Sequence, residues 1–482
     1  MEERVDEFGE LFGEFVRRAL EAESKREPAF RALVREHLGV DPTTLPIVDV
    51  DVPNWDHVNL QLALDALLAV DGAEAEIVGV AGGQKRYMSL SLSDLLNSQH
   101  FAQGPVEYTT LDSAPNQTLR CILFGVVLLR SADRPVVLFI RRGDEQAGPH
   151  RGGLMVEALA EDADVASALL DELRRLMRER NVFRGQMITF ESTMWGQTKV
   201  VFHERPATRR EDVILPAPVI AAIERQLLGI ARRAEELRAA GRHLKRGVLL
   251  HGPPGTGKTY TISWLAAELR EATVIVLSGG ALGAVGPVAR LARELAPSLV
   301  VLEDVDLVGL ERTMVHGGRP ILFELLNELD GMADDADVAV VLTTNRPDLL
   351  EPALAARPGR VDLAVEIPLP DAESRRRLLE LYARDLPMDG VDLEAVAART
   401  EGVTASFFRE LLRQAALEAV ERGARRVGDD DLRVATDRLL EQAGALTRIL
   451  LGAEPAAAGA PTTVGPRGWM AYGHGIQITG ES

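Results

Sequence analysis

The run Gly247-Val-Leu-Leu-His251-Gly252-Pro253-Pro254-Gly255-Thr256-Gly257-Lys258-Thr259-Tyr260 joins a short apolar segment to a glycine-rich turn and then to helix-forming residues. Its pattern, strand, then G-x-x-x-x-G-K-[ST], then helix, predicts a phosphate-binding loop set in a parallel α/β sheet. The glycines let successive backbone N–H groups curl inward toward phosphate oxygens, and the next helix points its positive end at them. Lys258 is expected to neutralise β and γ phosphate charge, and Thr259 to hold Mg²⁺ through its hydroxyl. Tyr260 is read as the last residue of this nucleotide-contacting segment.

Downstream, Leu299-Val-Val-Leu302 is an apolar run that ends in Glu303-Asp304. A buried central strand delivers two carboxylates in this way, one to order the metal's water shell and one to orient the attacking water. Glu303 is therefore the expected metal-side acid and Asp304 the water-side acid. The next strand-like run, Val338-Ala-Val-Val-Leu-Thr-Thr344, ends at Asn345, whose short amide suits the same water. Arg357-Pro-Gly-Arg360 then places two permanently charged guanidinium groups around a rigid turn, suited to charge gathering on a transferred phosphoryl group.

Over about 210–440 these residues resemble the AAA family. The motifs that carry the resemblance are Gly252–Thr259, Leu-Leu-Asn-Glu-Leu-Asp-Gly-Met at 325–332, Thr343-Thr-Asn345-Arg-Pro-Asp, and Arg357-Pro-Gly-Arg360. The resemblance implies ATP with Mg²⁺, an α/β ATPase subdomain over 206–368, a small helical lid over 369–450, and a homo-oligomeric ring, usually a hexamer. It also implies that Arg357 and Arg360 act across subunits.

Two departures stand out. The usual Asp-Glu order is reversed to Glu303-Asp304, which shortens the water-side acid by one methylene. The segment Ser278-Gly-Gly-Ala-Leu-Gly-Ala-Val-Gly-Pro287 is short and lacks the aromatic residue of chain-threading members. Both departures are similar to the mitochondrial AAA translocase type that carries the folded Rieske protein, whose Leu-Glu-Asp-Val-Asp run matches Leu302–Asp306. In the lid, Ala405-Ser406 stand where the family has Gly-Ala beside the adenine.

Outside the motor the signals are weaker. Phe8, Leu11, Phe12, Phe15, Val16 and Leu20 recur at helical spacing, so 1–40 reads as one or two amphipathic helices. Residues 41–205 read as an α+β client or adaptor domain, with a hairpin of Leu123–Leu129 and Pro135–Ile140 about Ser131-Ala-Asp-Arg. A helix is expected near Asp162–Glu179, and strands at Met187–Phe190 and Lys199–His203. Trp55, Trp195 and His203 are read as core or interface residues. Arg205-Pro-Ala-Thr-Arg-Arg-Glu-Asp reads as a linker, Ile220–Ala240 as one helix, and 451–482, with Trp469 and Tyr472, as a flexible tail.

Composition sets limits on function. Apolar residues are 46% and charged residues 26% of the chain, the balance of a globular protein. The net charge of −19 repels nucleic-acid phosphates. Cys121 is the only cysteine, which rules out an intramolecular disulfide and a four-cysteine zinc site. No signal peptide or long apolar span is visible, so a cytoplasmic protein without membrane attachment is expected.

These readings together predict an oligomeric, chaperone-like ATPase acting on protein clients. Two other classes compete with it. One is a nucleic-acid-handling ATPase with a channel made basic by Arg290, Arg293, Arg312 and Arg319; the other is a slow nucleotide-gated switch or scaffold. His203-Glu-Arg-Pro-Ala lacks the second histidine of a zinc-protease motif, and Gly480-Glu-Ser482 lacks a proteasome-docking ending, so neither association is expected.

Overall fold

A computed structural model describes residues 12, 14–15, 27–82, 90–131, 134–143, 153–192, 198–306, 336–348 and 361–441. The chain divides into a first unit, 1–368, and a second, 369–482.

The first unit holds two sheets. In chain order its first part runs α1 (Ala29–Leu38), β1 (Ile47–Val52), α2 (His57–Leu68), β2 (Glu74–Ala81), α3 (Leu92–Asn97), β3 (Ala102–Gly104), β4 (Glu107–Ala114), β5 (Gln117–Ser131), β6 (Arg134–Arg142), β7 (Leu154–Leu159) and α4 (Ala163–Glu179). The antiparallel order is β1-β7-β6-β5-β2-β3, with β4 also paired to β5. The expected hairpin is β5–β6, in register Val127↔Leu138. Strand β6 is apolar without alternation because both its faces are covered: Val136 and Leu138 face α2 and α4, while Val137 and Phe139 face α1 and α3. Asp162 caps α4 by accepting from the Asp164 N–H.

The second sheet is built from β8 (Met187–Ser192), β9 (Thr198–His203), β10 (Arg246–His251), β11 (Thr273–Ser278), β12 (Ser298–Glu303), β13 (Val338–Thr344) and β14 (Leu363–Glu366). Its order is β14-β10-β13-β12-β11-β8-β9, parallel throughout except for the β8–β9 pair. The expected boundary at 205 therefore falls in the wrong place for these strands. Met187–Phe190 pairs in parallel with Val274–Leu277, so two strands expected in the N-terminal domain complete this sheet. The physical reason is edge protection: β11 is apolar on both faces, and an open ladder beside it would expose unpaired backbone groups.

Alternate residues along each inner strand feed two cores. Val248, Leu250, Val274, Val276, Leu299, Val301, Ala339 and Val341 meet one side, while Ile275, Leu277, Val300, Leu302, Val340 and Leu342 meet the other. Each of the Val, Leu and Ile side chains contributes about 1.5–3 kcal/mol on burial. Arg246 donates to Asp337 at 2.7 Å and the Gly247 N–H donates to Asp362 at 2.7 Å, which pins the starts of the central strands.

The predicted helix over Ile220–Ala240 is interrupted. It comprises α5 (Ala217–Ile223), a π-helical turn (Glu224–Gly229), α6 (Ile230–Arg232) and α7 (Ala234–Ala239). The widened turn seats both Leu227 and Leu228 in the core, and Gly229 at its end has a weak helical preference. Helix α8 (Lys258–Glu268) follows β10, and α9 (Val285–Glu294) follows β11.

Trp55 is half-buried and packs against one of these cores, its ring tilted 6.2 Å from Phe183 and edge-on at 5.6 Å to Phe190. His203 is half-buried at the end of β9; Trp195 and the tail at 451–482 lie outside the described residues. No helix among the described residues is long and apolar enough to cross a membrane.

The second unit contains α10 (Ala372–Ala383), α11 (Leu393–Arg399), α12 (Ala405–Glu421) and α13 (Asp429–Glu441) among the described residues. Phe407, Phe408, Leu411 and Leu412 supply its buried ridge, and Asp371 and Asp392 cap α10 and α11. Ala405 is buried, whereas the exposed Ser406 shares a hydrogen bond of 2.9 Å with Thr404.

Candidate nucleotide site

The carboxyl ends of β10, β12 and β13 lie side by side, the position at which open parallel sheets hold ligands. Three groups of residues meet there.

The first is the loop between β10 and α8. Gly252, Gly255 and Gly257 adopt φ values of 145°, 77° and 112°, in the region that favours glycine. Their reasons differ. A Cβ on Gly252 would lie 2.3 Å from the Ile367 carbonyl oxygen, so this glycine also admits the chain leaving β14, whereas a Cβ on Gly257 would meet nothing within 4 Å. Pro254 and Gly255 are exposed, Thr256 is buried and donates to the Pro253 carbonyl at 2.9 Å, and Tyr260 is half-buried against the sheet's core.

Lys258 begins α8 and is buried. Its ammonium donates to the Gly252 carbonyl at 2.8 Å and to the Pro253 carbonyl at 2.9 Å. Burial pulls its pKa below the usual lysine range, and the charges of Asp304 and Asp306 oppose that shift.

The second group joins α8 to β12. The Thr259 side chain lies close enough to the Glu303 carboxyl to lower its pKa, so the two residues expected at the metal come together although they are distant in sequence. Burial raises the Glu303 pKa, Asp304 adds to the rise, and Thr259 works against it. A hydroxyl and a carboxylate are hard oxygen donors, the set that suits Mg²⁺.

The third group laces β12 to β13. Asp304 has φ 49°, a left-handed conformation that Asp tolerates better than most residues. Its N–H donates to the Thr343 hydroxyl at 3.0 Å, and its carboxylate accepts from the Asn345 amide at 3.3 Å. Asp306 accepts from the Thr344 hydroxyl at 2.8 Å and from the Asn345 N–H at 3.3 Å.

The structure thus brings Lys258, Thr259, Glu303, Asp304 and Asn345 to one strand-end cluster. Sequence reasoning missed Asp306, Thr343 and Thr344. The only signal for them was position: Asp306 follows the acid pair by two residues, and the two threonines directly precede Asn345. Arg357, Arg360, the 325–332 run, Arg312 and Arg319 lie outside the described residues. Of the proposed basic channel, Arg290 is exposed and Arg293 half-buried, both on α9.

Residues 248–369 match the AAA family, described as ATPase family associated with various cellular activities, and residues 390–434 match the AAA+ lid domain. The chain is 32% identical over 260 residues to the proteasome-activating nucleotidase of Methanocaldococcus jannaschii, covering 50% of this chain and 59% of that protein. It is 39% identical over 209 residues to the same nucleotidase of Aeropyrum pernix, covering 40% and 51%. The ATP-dependent zinc metalloprotease FtsH 3 of Sphaerobacter thermophilus is 36% identical over 265 residues, covering 52% and 53%. The chain spans about half the length of these curated relatives.

Proposed function

Because residues 248–369 are an AAA ATPase domain and residues 390–434 an AAA+ lid domain, we propose that the chain hydrolyses ATP and spends that energy on remodelling protein clients. The observation that carries the reading is the joint placement of Lys258, the Thr259–Glu303 pair and the Asp304–Asn345 pair at the ends of three adjacent parallel strands.

In this reading the N–H groups of Gly255–Lys258 and the Lys258 ammonium cradle the phosphates. Thr259 and Glu303 would hold Mg²⁺, which when bound neutralises charge on the β and γ oxygens. Asp304 accepts a hydrogen bond from the attacking water and Asn345 holds that water in line. Arg357 and Arg360 are proposed to reach the γ-phosphate of a neighbouring subunit, which ties turnover to a homo-oligomeric ring of six.

Protein clients are favoured because relatives named for activating a proteasome and for ATP-dependent proteolysis share this motor. The chain itself contains no His-Glu-x-x-His run. The segment after β11 supports action without threading an extended chain. Gly279–Ala284 is a 3₁₀ turn, and Ala281, Leu282 and Val285 are buried in the same core as Phe190. The segment has no aromatic side chain to grip a polypeptide. We place the protein in the cytoplasm, without membrane attachment or a nucleic-acid partner.

The test is phosphate release by purified protein given ATP, with and without Mg²⁺, beside light-scattering mass in the presence of ATP. Release that stops on chelation, from an assembly of six copies, is expected. Background release would sink the enzymatic reading, and a monomer under every nucleotide condition would sink the ring.

A further inference from the structure

Asp306 carries no role in the reading above, yet it is 5% exposed and makes no ion pair within 4 Å among the described residues. A buried carboxylate is costly to keep unless hydrogen bonds satisfy it. Its two bonds converge on a single oxygen, Oδ1, which accepts from the Thr344 hydroxyl at 2.8 Å and from the Asn345 backbone N–H at 3.3 Å. The donors are Thr344, the last residue of β13, and Asn345, which follows it, next to Arg346, whose own N–H donates to the Thr344 hydroxyl at 2.9 Å.

Those bonds act on the residue that matters for the water. The Asn345 amide reaches Asp304 Oδ1 at 3.3 Å, at the long end of a useful hydrogen bond, so a small rotation of the Asn345 backbone would break it. Asp304 itself sits at φ 49°, a conformation that persists only where neighbours enforce it. The Thr343 bond restrains Asp304 from one side, and the Asp306 bonds restrain Asn345 from the other.

We propose that Asp306 is a positioning residue for hydrolysis: its Oδ1 fixes the Thr344–Asn345 backbone so that the Asn345 amide stays against Asp304 and the two share one water. This rests on the reading of the cluster as an ATP-hydrolysing centre. Because one oxygen accepts both bonds, the role needs an acceptor and not a negative charge.

That distinction gives the experiment. In the full chain, Asp306→Ala is expected to lower kcat for ATP about 10²-fold, the scale of a misplaced catalytic group. A fluorescent ATP analogue should bind with Kd changed by less than about twofold, since the phosphate loop is untouched. Asp306→Asn keeps the Oδ1 acceptor and should recover most of kcat. Asn345→Ala should cost as much as Asp306→Ala, and the double variant no more than either, because both remove one shared interaction. Thr344→Val removes one of the two bonds and gives the same direction if Asp306→Ala does not fold.

Multiplicative losses in the double variant, an Asp306→Asn as slow as Asp306→Ala, or kcat and analogue binding lost in proportion would each overturn the assignment. A wild type that does not turn over ATP would overturn the parent reading, and this one with it. A turning-over wild type with multiplicative losses would overturn this inference alone.

Discussion

Asn345 donates its side-chain amide to the Asp304 carboxylate at 3.3 Å, bridging the carboxyl ends of two neighbouring parallel strands. The contact joins the residue after β13 to the residue after β12, and so gives the shorter acid of the reversed Glu303-Asp304 pair a defined partner. Asp304→Asn preserves shape and suits the left-handed backbone at φ 49°, since Asn and Asp are the side chains most at home there. It removes the carboxylate proposed to accept from the attacking water. Turnover should fall by about 10²-fold or more while the thermal midpoint stays put. Retained phosphate release would show that Asp304 does not act on the water.

Lys258→Ala tests the loop. The ammonium is held by the Gly252 and Pro253 carbonyls at 2.8 Å and 2.9 Å, which positions it within the curl of the glycine-rich turn. A charge-assisted hydrogen bond contributes about 1.5–3 kcal/mol, so affinity for a fluorescent ATP analogue should drop about 10- to 100-fold. Titration to a wild-type Kd would remove Lys258 from the nucleotide site.

The motor was legible in the sequence because its signals are local. Gly252–Thr259, the Leu299–Leu302 run with its acids, and Val338–Thr344 each announce element type and chemistry within about ten residues. The hairpin β5–β6 and the helix α4 are local too. What escaped was long-range. Met187–Phe190 reads as a strand, but nothing in its pattern names Val274–Leu277 as its partner. Ile220–Ala240 has a helical composition, yet a π turn is set by where Leu227 and Leu228 must pack and not by propensity. Asp306 drew no role from the sequence, because its two donors lie about forty residues downstream.

Arg205 turned from a linker residue into an anchor. Its guanidinium donates to the carbonyls of Ala266 at 2.8 Å, Leu269 at 3.1 Å and Gly185 at 3.0 Å, and also to that of Ala272. The first two belong to the C-terminal end of α8, where free carbonyls and the helix dipole favour a cation. Arg205→Ala should destabilise the first unit by about 2–4 kcal/mol in urea unfolding, because half-buried carbonyls lose their donors. Arg205→Lys should recover little, since a point charge cannot fork to this set. A denaturation midpoint equal to wild type would make the contacts incidental.

Asp56 supplies a pH-dependent prediction. It lies beside Trp55, accepts from the Asn59 amide at 2.7 Å, and its pKa is raised from 3.8 to about 7, chiefly by desolvation, with the charge of Glu294 on α9 adding to the rise. A carboxyl with a raised folded-state pKa contributes stability that is full below the unfolded value of 3.8 and is lost as pH climbs through about 7. The ionised form at alkaline pH is therefore the costly one. Asp56→Asn keeps the Oδ1 acceptor for Asn59 and cannot ionise. It should match wild type near pH 4 and exceed it by about 1–3 kcal/mol above pH 8, a figure reduced for partial exposure of the side chain. Comparing the two proteins by thermal melts at each pH cancels every other titrating group. A variant that gains nothing between acid and alkaline pH would show that Asp56 ionises freely in the folded chain.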